Sequence, residues 1–227
     1  MSSLAWMSDK KNGKVLCKAC RQRCILENGE YGKCGVRVNL DGTLYLTVYG
    51  RVAAYNIDPI EKKPLYHFLP GTRSLSVGTV GCNFSCMFCQ NWEISQHPQT
   101  HNYEIFGNGV MPEELVYFAR VHSTPSISYT YNEPAVFFEF AHDTMKLAHK
   151  DGIKNVFVTS GYETEDVIDA SLPYLFAMNI DLKSFSDKFY REVCGARLKP
   201  VLDTIEYVKK RGIWLEITTL LIPGLND

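Results

Sequence analysis

The sequence predicts an α/β protein: a parallel sheet with crossover helices, preceded by a small cysteine-rich β module. Three observations carry this. From residue 74 onward, short apolar runs alternate with stretches of helical period. Before residue 74 lie four cysteines and a two-residue hairpin signal. Hydrophobic residues make up 45% of a 227-residue chain, enough for one large core plus a small module. The chain therefore divides into a metal-binding module with hairpin and connector over 1–73 and a core over 74–227.

In the module, Cys17, Cys20, Cys24 and Cys34 are spaced C-x₂-C-x₃-C-x₉-C, and the turn-rich residues 27–32 let the chain double back. Four thiolates in a short polar segment suit a tetrahedral zinc or a closed iron–sulfur cluster. Such a site mainly holds together a module too small to fold alone. A structural metal is favoured over an electron-relay cluster, and spacing does not choose the metal. Residues 36–40 and 43–48 flank Asp41–Gly42, a strong hairpin signal. Residues 50–73 read as a connector broken by Pro59, Pro64 and Pro70. Its Tyr66, His67 and Phe68 are expected to pack the module onto the core.

The core opens with a buried strand over 74–80, followed by a loop over 81–91. Pro112 starts a helix with Glu113 and Glu114 at its positive end. Residues 126–130 form a second strand. Pro134 opens a helix in which Phe137, Ala141, Met145 and Ala148 recur at helical spacing, and Gly152 ends it. A third strand covers 155–160, an acidic helix start 163–166, a fourth strand 176–182, a helix 201–211 and a fifth strand 213–221. Such βα repeats form a parallel sheet with right-handed crossovers. Functional groups then belong beyond the carboxyl ends of the strands. The ends of strands one to four carry the 81–91 loop, residues 129–134, residues 159–162 and residues 181–183, which converge on one mouth.

The loop holds Cys82, Cys86 and Cys89 as C-x₃-C-x₂-C. Three soft thiolates can hold three irons of a four-iron cluster, leaving one iron open for chemistry. A zinc site completed by His97 or His101, or disulfide pairing, is the plainer alternative. Eight cysteines in clusters, with no secretory signal, favour metal ligation in a reducing cytoplasm. Strand alternation puts Asp181 and Lys183 on one face, where opposite charges can pair and meet a zwitterion; the plainer reading is a surface ion pair. Glu133 can be a helix-start acid, Asn132 a turn residue and Ser160 a cap. Cys194 reads as structural or incidental.

C-x₃-C-x-φ-C after the first strand, with Phe88 at the aromatic position, resembles the radical S-adenosylmethionine (SAM) superfamily. Residues 57–65 (Ile-Asp-Pro-Ile-Glu-Lys-Lys-Pro-Leu), 78–84 and 89–96 resemble the radical SAM member of the AmmeMemoRadiSam group, relatives of pyruvate formate-lyase activating enzymes. The resemblance covers nearly the whole chain. It implies a partial (β/α)6 barrel, a [4Fe–4S] cluster on Cys82, Cys86 and Cys89, and reductive cleavage of SAM to a 5′-deoxyadenosyl radical that abstracts hydrogen from a substrate. It implies SAM contacts at Phe88, Thr130, Tyr131, Asn132, Glu133, Ser160, Asp181 and Lys183. It also implies an electron donor such as a flavodoxin or ferredoxin, with a small molecule or a protein as substrate. The chain departs from the family in three ways. Tyr-Asn-Glu-Pro stands at 131–134 in place of Gly-Gly-Glu-Pro, Thr218 stands where activases often carry Arg, and the chain stops after strand five, which reads as truncation. An iron–sulfur electron-transfer protein and a non-catalytic, metal-stabilised interaction module are the alternatives. A net charge of −1 gives no case for nucleic acid, and no apolar run is long enough for a membrane span.

Overall fold

The computed structural model describes residues 2–11 and 13–227. Its largest sheet has six strands in the spatial order Trp214–Thr218, Leu175–Asp181, Lys154–Thr159, Ser126–Tyr129, Arg73–Gly78 and Ala54–Pro59. The first five named are mutually parallel, with helices between them, so the α/β partial barrel is present. The sixth corrects the sequence reading. Residues 54–59, expected to be connector, form a strand antiparallel to Arg73–Gly78. Pro59 is tolerated because it closes an edge strand, where its missing N–H costs no ladder bond.

Register sorts the side chains. Ser76, Ser128, Val156 and Ala177 lie in one row on the inner face. These are small residues, which suit the crowded side of a curved sheet. Leu75, Ile127, Phe157 and Met178 face the other way and are buried in the main core. Helix Pro112–Val121 covers that core with Leu115, Val116 and Ala119. Helix Phe138–Lys150 adds Ala141, Met145 and Ala148, and helix Leu198–Lys210 adds Val201 and Val208. The expected helix at Pro134 begins instead as a 3₁₀ turn, Pro134–Phe137, before the α-helix starts. Among the described residues no helix is long and apolar enough to cross a membrane.

The lower inner face is plugged from within the chain. Ile60 and Leu65 pack on Val156 and Ala177. The Glu216 carboxylate accepts the backbone N–H groups of Tyr66, His67 and Phe68 at 2.8, 3.1 and 3.2 Å. Residues 66–68 therefore clamp onto the last strand and do not join the cysteine module to the core as expected. Tyr66 is 61% exposed.

The module is held to the core by a buried ion pair. Its hairpin pairs Arg37–Leu40 with Thr43–Leu46, turning at Asp41 and Gly42, both at positive φ as a two-residue turn requires. Arg37 projects from this hairpin and is 1% exposed. Its Nη1 and Nη2 donate to both Glu139 carboxylate oxygens, at 3.0 and 2.5 Å. Its Nε donates to Val136 O, and Nη2 also to Ala135 O, at 3.1 and 3.2 Å. The planar guanidinium fork suits this set of acceptors, and lysine would not. Removing one partner leaves an uncompensated buried charge. Arg37→Ala or Glu139→Ala should therefore lose about 3–5 kcal/mol in urea unfolding, and Arg37→Met with Glu139→Leu together should lose much less. Equal losses in all three would show that charge pairing is not what matters there.

Candidate active site

The cysteine loop sits over the carboxyl ends of the parallel strands and owes its shape to neighbours. Gly81 has φ +89°, and a Cβ there would lie 2.5 Å from Val36 Cγ1 and 2.6 Å from Cys34 O, so only glycine lets the module approach this closely. Asn132 Nδ2 donates to Thr79 Oγ1 and Gly81 O at 3.1 and 2.8 Å, tying the loop to the end of the second parallel strand. Ser85 N donates to Cys194 O and Met87 N to Val193 O, at 3.0 and 2.9 Å.

Beneath the loop lies a cavity of about 210 Å³. Cys82, Cys86, Cys89 and Phe88 form one wall. Thr130, Tyr131, Asn132, Ser160, Asp181 and Lys183 line the rest, so seven of the eight residues expected to meet SAM border one space. Glu133 does not. It is fully buried beneath the cavity, where Thr159 Oγ1 and Ser160 N donate to its carboxylate at 2.6 and 3.0 Å. Tyr131 shows its backbone to the cavity region, since its hydroxyl reaches away to Asp58 Oδ2 at 3.3 Å. Asn91, Gln96, Thr159, Thr218 and Leu220 also line the space. Asn91 and Gln96 lie inside the 89–96 word, which was the available signal for them.

Lys183 Nζ lies 3.3 Å from Asp181 Oδ2 and 5.9 Å from the Phe88 ring centre. Burial works against its charge, but Asp181 and then Cys86 outweigh burial and raise its pKa, so it remains an ammonium. Cys194 was underrated by its sequence context. It is fully buried on a π turn, Tyr190–Cys194. The neighbouring Cys194 thiol, then Lys183, lowers the Cys86 pKa against the effect of burial. Burial raises Cys82 well above the usual thiol range.

Among the described residues no three His, Cys, Asp or Glu side chains are gathered as ligands of one metal ion. His97 instead stacks on His101 at 4.1 Å and meets Phe106 edge-on at 4.6 Å. A four-iron cluster binds each cysteine to a different iron, so its ligands stand further apart than those of a single ion. Three thiols on one loop, bordering a cavity with a fixed ammonium, suit the ligand set of a cluster with an open corner.

Residues 76–227 match the model of the radical SAM superfamily. The chain belongs to the radical SAM superfamily. It is 48% identical, over 95% of its length, to an uncharacterized protein of Methanocaldococcus jannaschii, and covers 63% of that relative. It is 26% identical to the pyruvate formate-lyase-activating enzyme of Clostridium pasteurianum over 70% of this chain and 65% of that one. The chain thus spans less than two thirds of these relatives. A radical SAM methyltransferase from Sphaerobacter thermophilus shares the fold, with a TM-score of 0.51 at 19% identity, over 70% of this chain and 50% of that one. Radical SAM proteins use a [4Fe–4S] cluster and SAM, and reductive SAM cleavage to a radical is general to them.

One pair of groups in this radical SAM core escaped sequence reading. Glu163, read as part of a helix start, lies before the Thr164 cap and is fully buried. Neither of its carboxyl oxygens has a donor within reach. Burial, then the neighbouring Glu133 charge, raise its pKa well above the ordinary value, and burial raises that of Glu133. A carboxyl whose folded pKa is raised stabilises the fold below the unfolded value of 4.5 and loses that contribution as pH rises through the folded pKa. Urea unfolding free energy should therefore fall as pH rises from 4.5 toward neutrality. Glu163→Gln should remove up to about 1.4 kcal/mol per pH unit of that slope. An unchanged slope would show that the pair does not titrate in this window.

Proposed function

We propose that this chain binds SAM in the cavity beneath Cys82, Cys86 and Cys89 and uses it to abstract hydrogen from a substrate. The observation that carries the reading is the convergence of three loop thiols with Asp181, Lys183, Ser160 and Thr130 on one space. Cys82, Cys86 and Cys89 are the proposed ligands of three irons. When bound there, a [4Fe–4S] cluster supplies an open iron and one electron for breaking the sulfonium S–C5′ bond, releasing methionine.

The protein's own contribution is orientation. Lys183, fixed by Asp181 at 3.3 Å, presents an ammonium to the methionine carboxylate. The Thr130 hydroxyl and the carbonyls beside it face the methionine amino group. Ser160 is assigned to ribose or carboxylate, and the Phe88 ring centre lies 5.9 Å from Lys183 Nζ. Glu133 acts at one remove, because its carboxylate orients Thr159 and the Ser160 backbone. Asn132 holds the cysteine loop at a set height above the strand ends.

Within this chemistry, the words at 57–65, 78–84 and 89–96 favour the AmmeMemoRadiSam group, and the similarity to a pyruvate formate-lyase-activating enzyme favours hydrogen abstraction from a glycine of a partner protein. The reductant is a low-potential one-electron donor of the flavodoxin or ferredoxin kind, acting in the cytoplasm. The test is anaerobic reconstitution with iron and sulfide, followed by SAM and a strong reductant. 5′-Deoxyadenosine should form, and should vanish in a chain carrying Cys82→Ala, Cys86→Ala and Cys89→Ala. A loaded, reducible chain that forms none contradicts the reading. Lys183→Met should weaken SAM binding about tenfold by titration calorimetry, about 1.4 kcal/mol, with the cluster retained. A glycyl radical signal on an added partner enzyme would identify the activase branch.

A further inference from the structure

Residues 57–65 carry a sequence word that the SAM reading leaves unused, and two of its charged side chains lead to the cavity. Asp58 stands on the edge strand Ala54–Pro59. Lys63 follows the 3₁₀ turn Ile60–Lys62 and is 4% exposed. Its Nζ donates to Asp58 Oδ2 at 2.9 Å. The same oxygen accepts the Tyr131 hydroxyl at 3.3 Å. Asn56 Nδ2 donates to that hydroxyl at 3.3 Å, and Lys63 Nζ lies 4.9 Å from the Tyr131 ring centre. Burial works against the Asp58 charge, but Lys63 outweighs it and lowers the pKa, so the carboxylate persists. Burial raises the Tyr131 pKa, so the phenol keeps its proton and donates. Tyr131 is therefore gripped at both ring and hydroxyl.

The backbone of Tyr131 explains why a grip is needed. Its φ is +71°, in the left-handed region that glycine enters freely and a bulky side chain seldom does. This is the position where Tyr-Asn-Glu-Pro departs from Gly-Gly-Glu-Pro. The turn also shapes the site. Tyr131 O accepts Asn91 Nδ2 at 2.9 Å, and Asn91 ends the cysteine loop and lines the cavity. On either side of Tyr131, Thr130 lines the cavity and Asn132 Nδ2 holds Gly81 O at 2.8 Å. The packing leaves no slack, since a Cβ on Gly78 would lie 2.5 Å from Thr130 O and 3.1 Å from Tyr131 Cβ. A Tyr131 relaxed to negative φ would displace Thr130 and the Asn91 contact together. Strain of this kind persists only where the surroundings over-determine it.

We propose that Asp58 and Lys63 are positioning residues for the SAM site and act through Tyr131, holding it in the left-handed conformation that glycine would adopt unaided. The inference rests on the reading that SAM binds beneath Cys82, Cys86 and Cys89. Neither Asp58 nor Lys63 lines the cavity. Their effect reaches SAM by fixing where Thr130 and Asn91 stand.

The test is rescue by glycine, measured as SAM affinity. Each chain is reconstituted anaerobically with iron and sulfide and matched for iron content, and SAM is titrated by calorimetry. Tyr131→Ala keeps the strained backbone and loses the grip, and should weaken SAM binding about tenfold. Tyr131→Gly loses grip and strain together, and should bind SAM at least about fivefold more tightly than Tyr131→Ala. Asp58→Asn with Lys63→Met removes both charges and leaves neither buried alone. This pair of changes should weaken binding about fivefold in the parent chain and less than about twofold in the Tyr131→Gly chain. A role confined to fold stability would cost the same in both chains. Equal binding by Tyr131→Ala and Tyr131→Gly, or by Tyr131→Ala and the parent chain, would overturn the inference. An equal loss from the charge-pair variant in both chains would overturn the route through Tyr131. Should that variant fail to fold, the comparison at position 131 decides alone. A cluster-loaded parent chain that binds no SAM would overturn the SAM reading and this inference with it. SAM binding without glycine rescue would remove this inference and leave the SAM reading standing.

Discussion

The cysteine loop has almost no regular structure, so its backbone polar groups must be satisfied from outside it. That requirement shapes the molecule around the cavity. Asn132 takes Gly81 O, the π turn takes the N–H groups of Ser85 and Met87, and Gln96 Nε2 donates to Phe84 O at 2.9 Å. The bonds come from three separate parts of the chain, so the loop is placed only when the upper rim has folded. The π turn does a second job. The same residues that receive the loop's N–H groups deliver the Cys194 thiol to Cys86. Loop anchoring and the placement of Cys194 beside Cys86 are therefore one arrangement.

The rim is stiffened from the side as well as from above. Arg37 and Glu139 fasten the N-terminal hairpin to the core with a fully buried fork, and the hairpin in turn brings Val36 and Cys34 against Gly81. A buried pair of this kind is weak evidence for net stability, because desolvation offsets much of the attraction. Its geometry is more telling: four directed bonds allow one seating of the module on the core. At the opposite end, Glu216 fixes residues 66–68 and closes the inner face with chain rather than water. Asp181 and Lys183 thus sit in the upper, open part of the barrel and not in a channel.

The parallel strands, their order and the cysteine loop were legible because local signals encode them: period, helix-start prolines and cysteine spacing. The same holds for Asp181 and Lys183, since alternation fixes which face each takes. What stayed hidden depends on partners far apart in sequence. Nothing near Cys194 marks it as a neighbour of Cys86. Glu163 sits among three other acidic or capping residues, and only the fold shows that it is buried against Glu133. Residues 54–59 were masked by the prolines around them, although those prolines end the strand without preventing it. Residues 66–68 looked like an aromatic patch, while it is their backbone N–H groups that matter, and backbone bonding to a distant carboxylate leaves no mark on local composition.

The central claim is that an open iron at Cys82, Cys86 and Cys89 faces the cavity and is chelated by SAM there. Electron–nuclear double resonance on the reduced, reconstituted chain tests this most directly, using SAM labelled with ¹⁵N at its amino group and ¹⁷O at its carboxylate. The account predicts hyperfine coupling from both nuclei to the cluster spin, each lost when its own label is omitted. Bound SAM with a reduced cluster and no coupling from either label would contradict it.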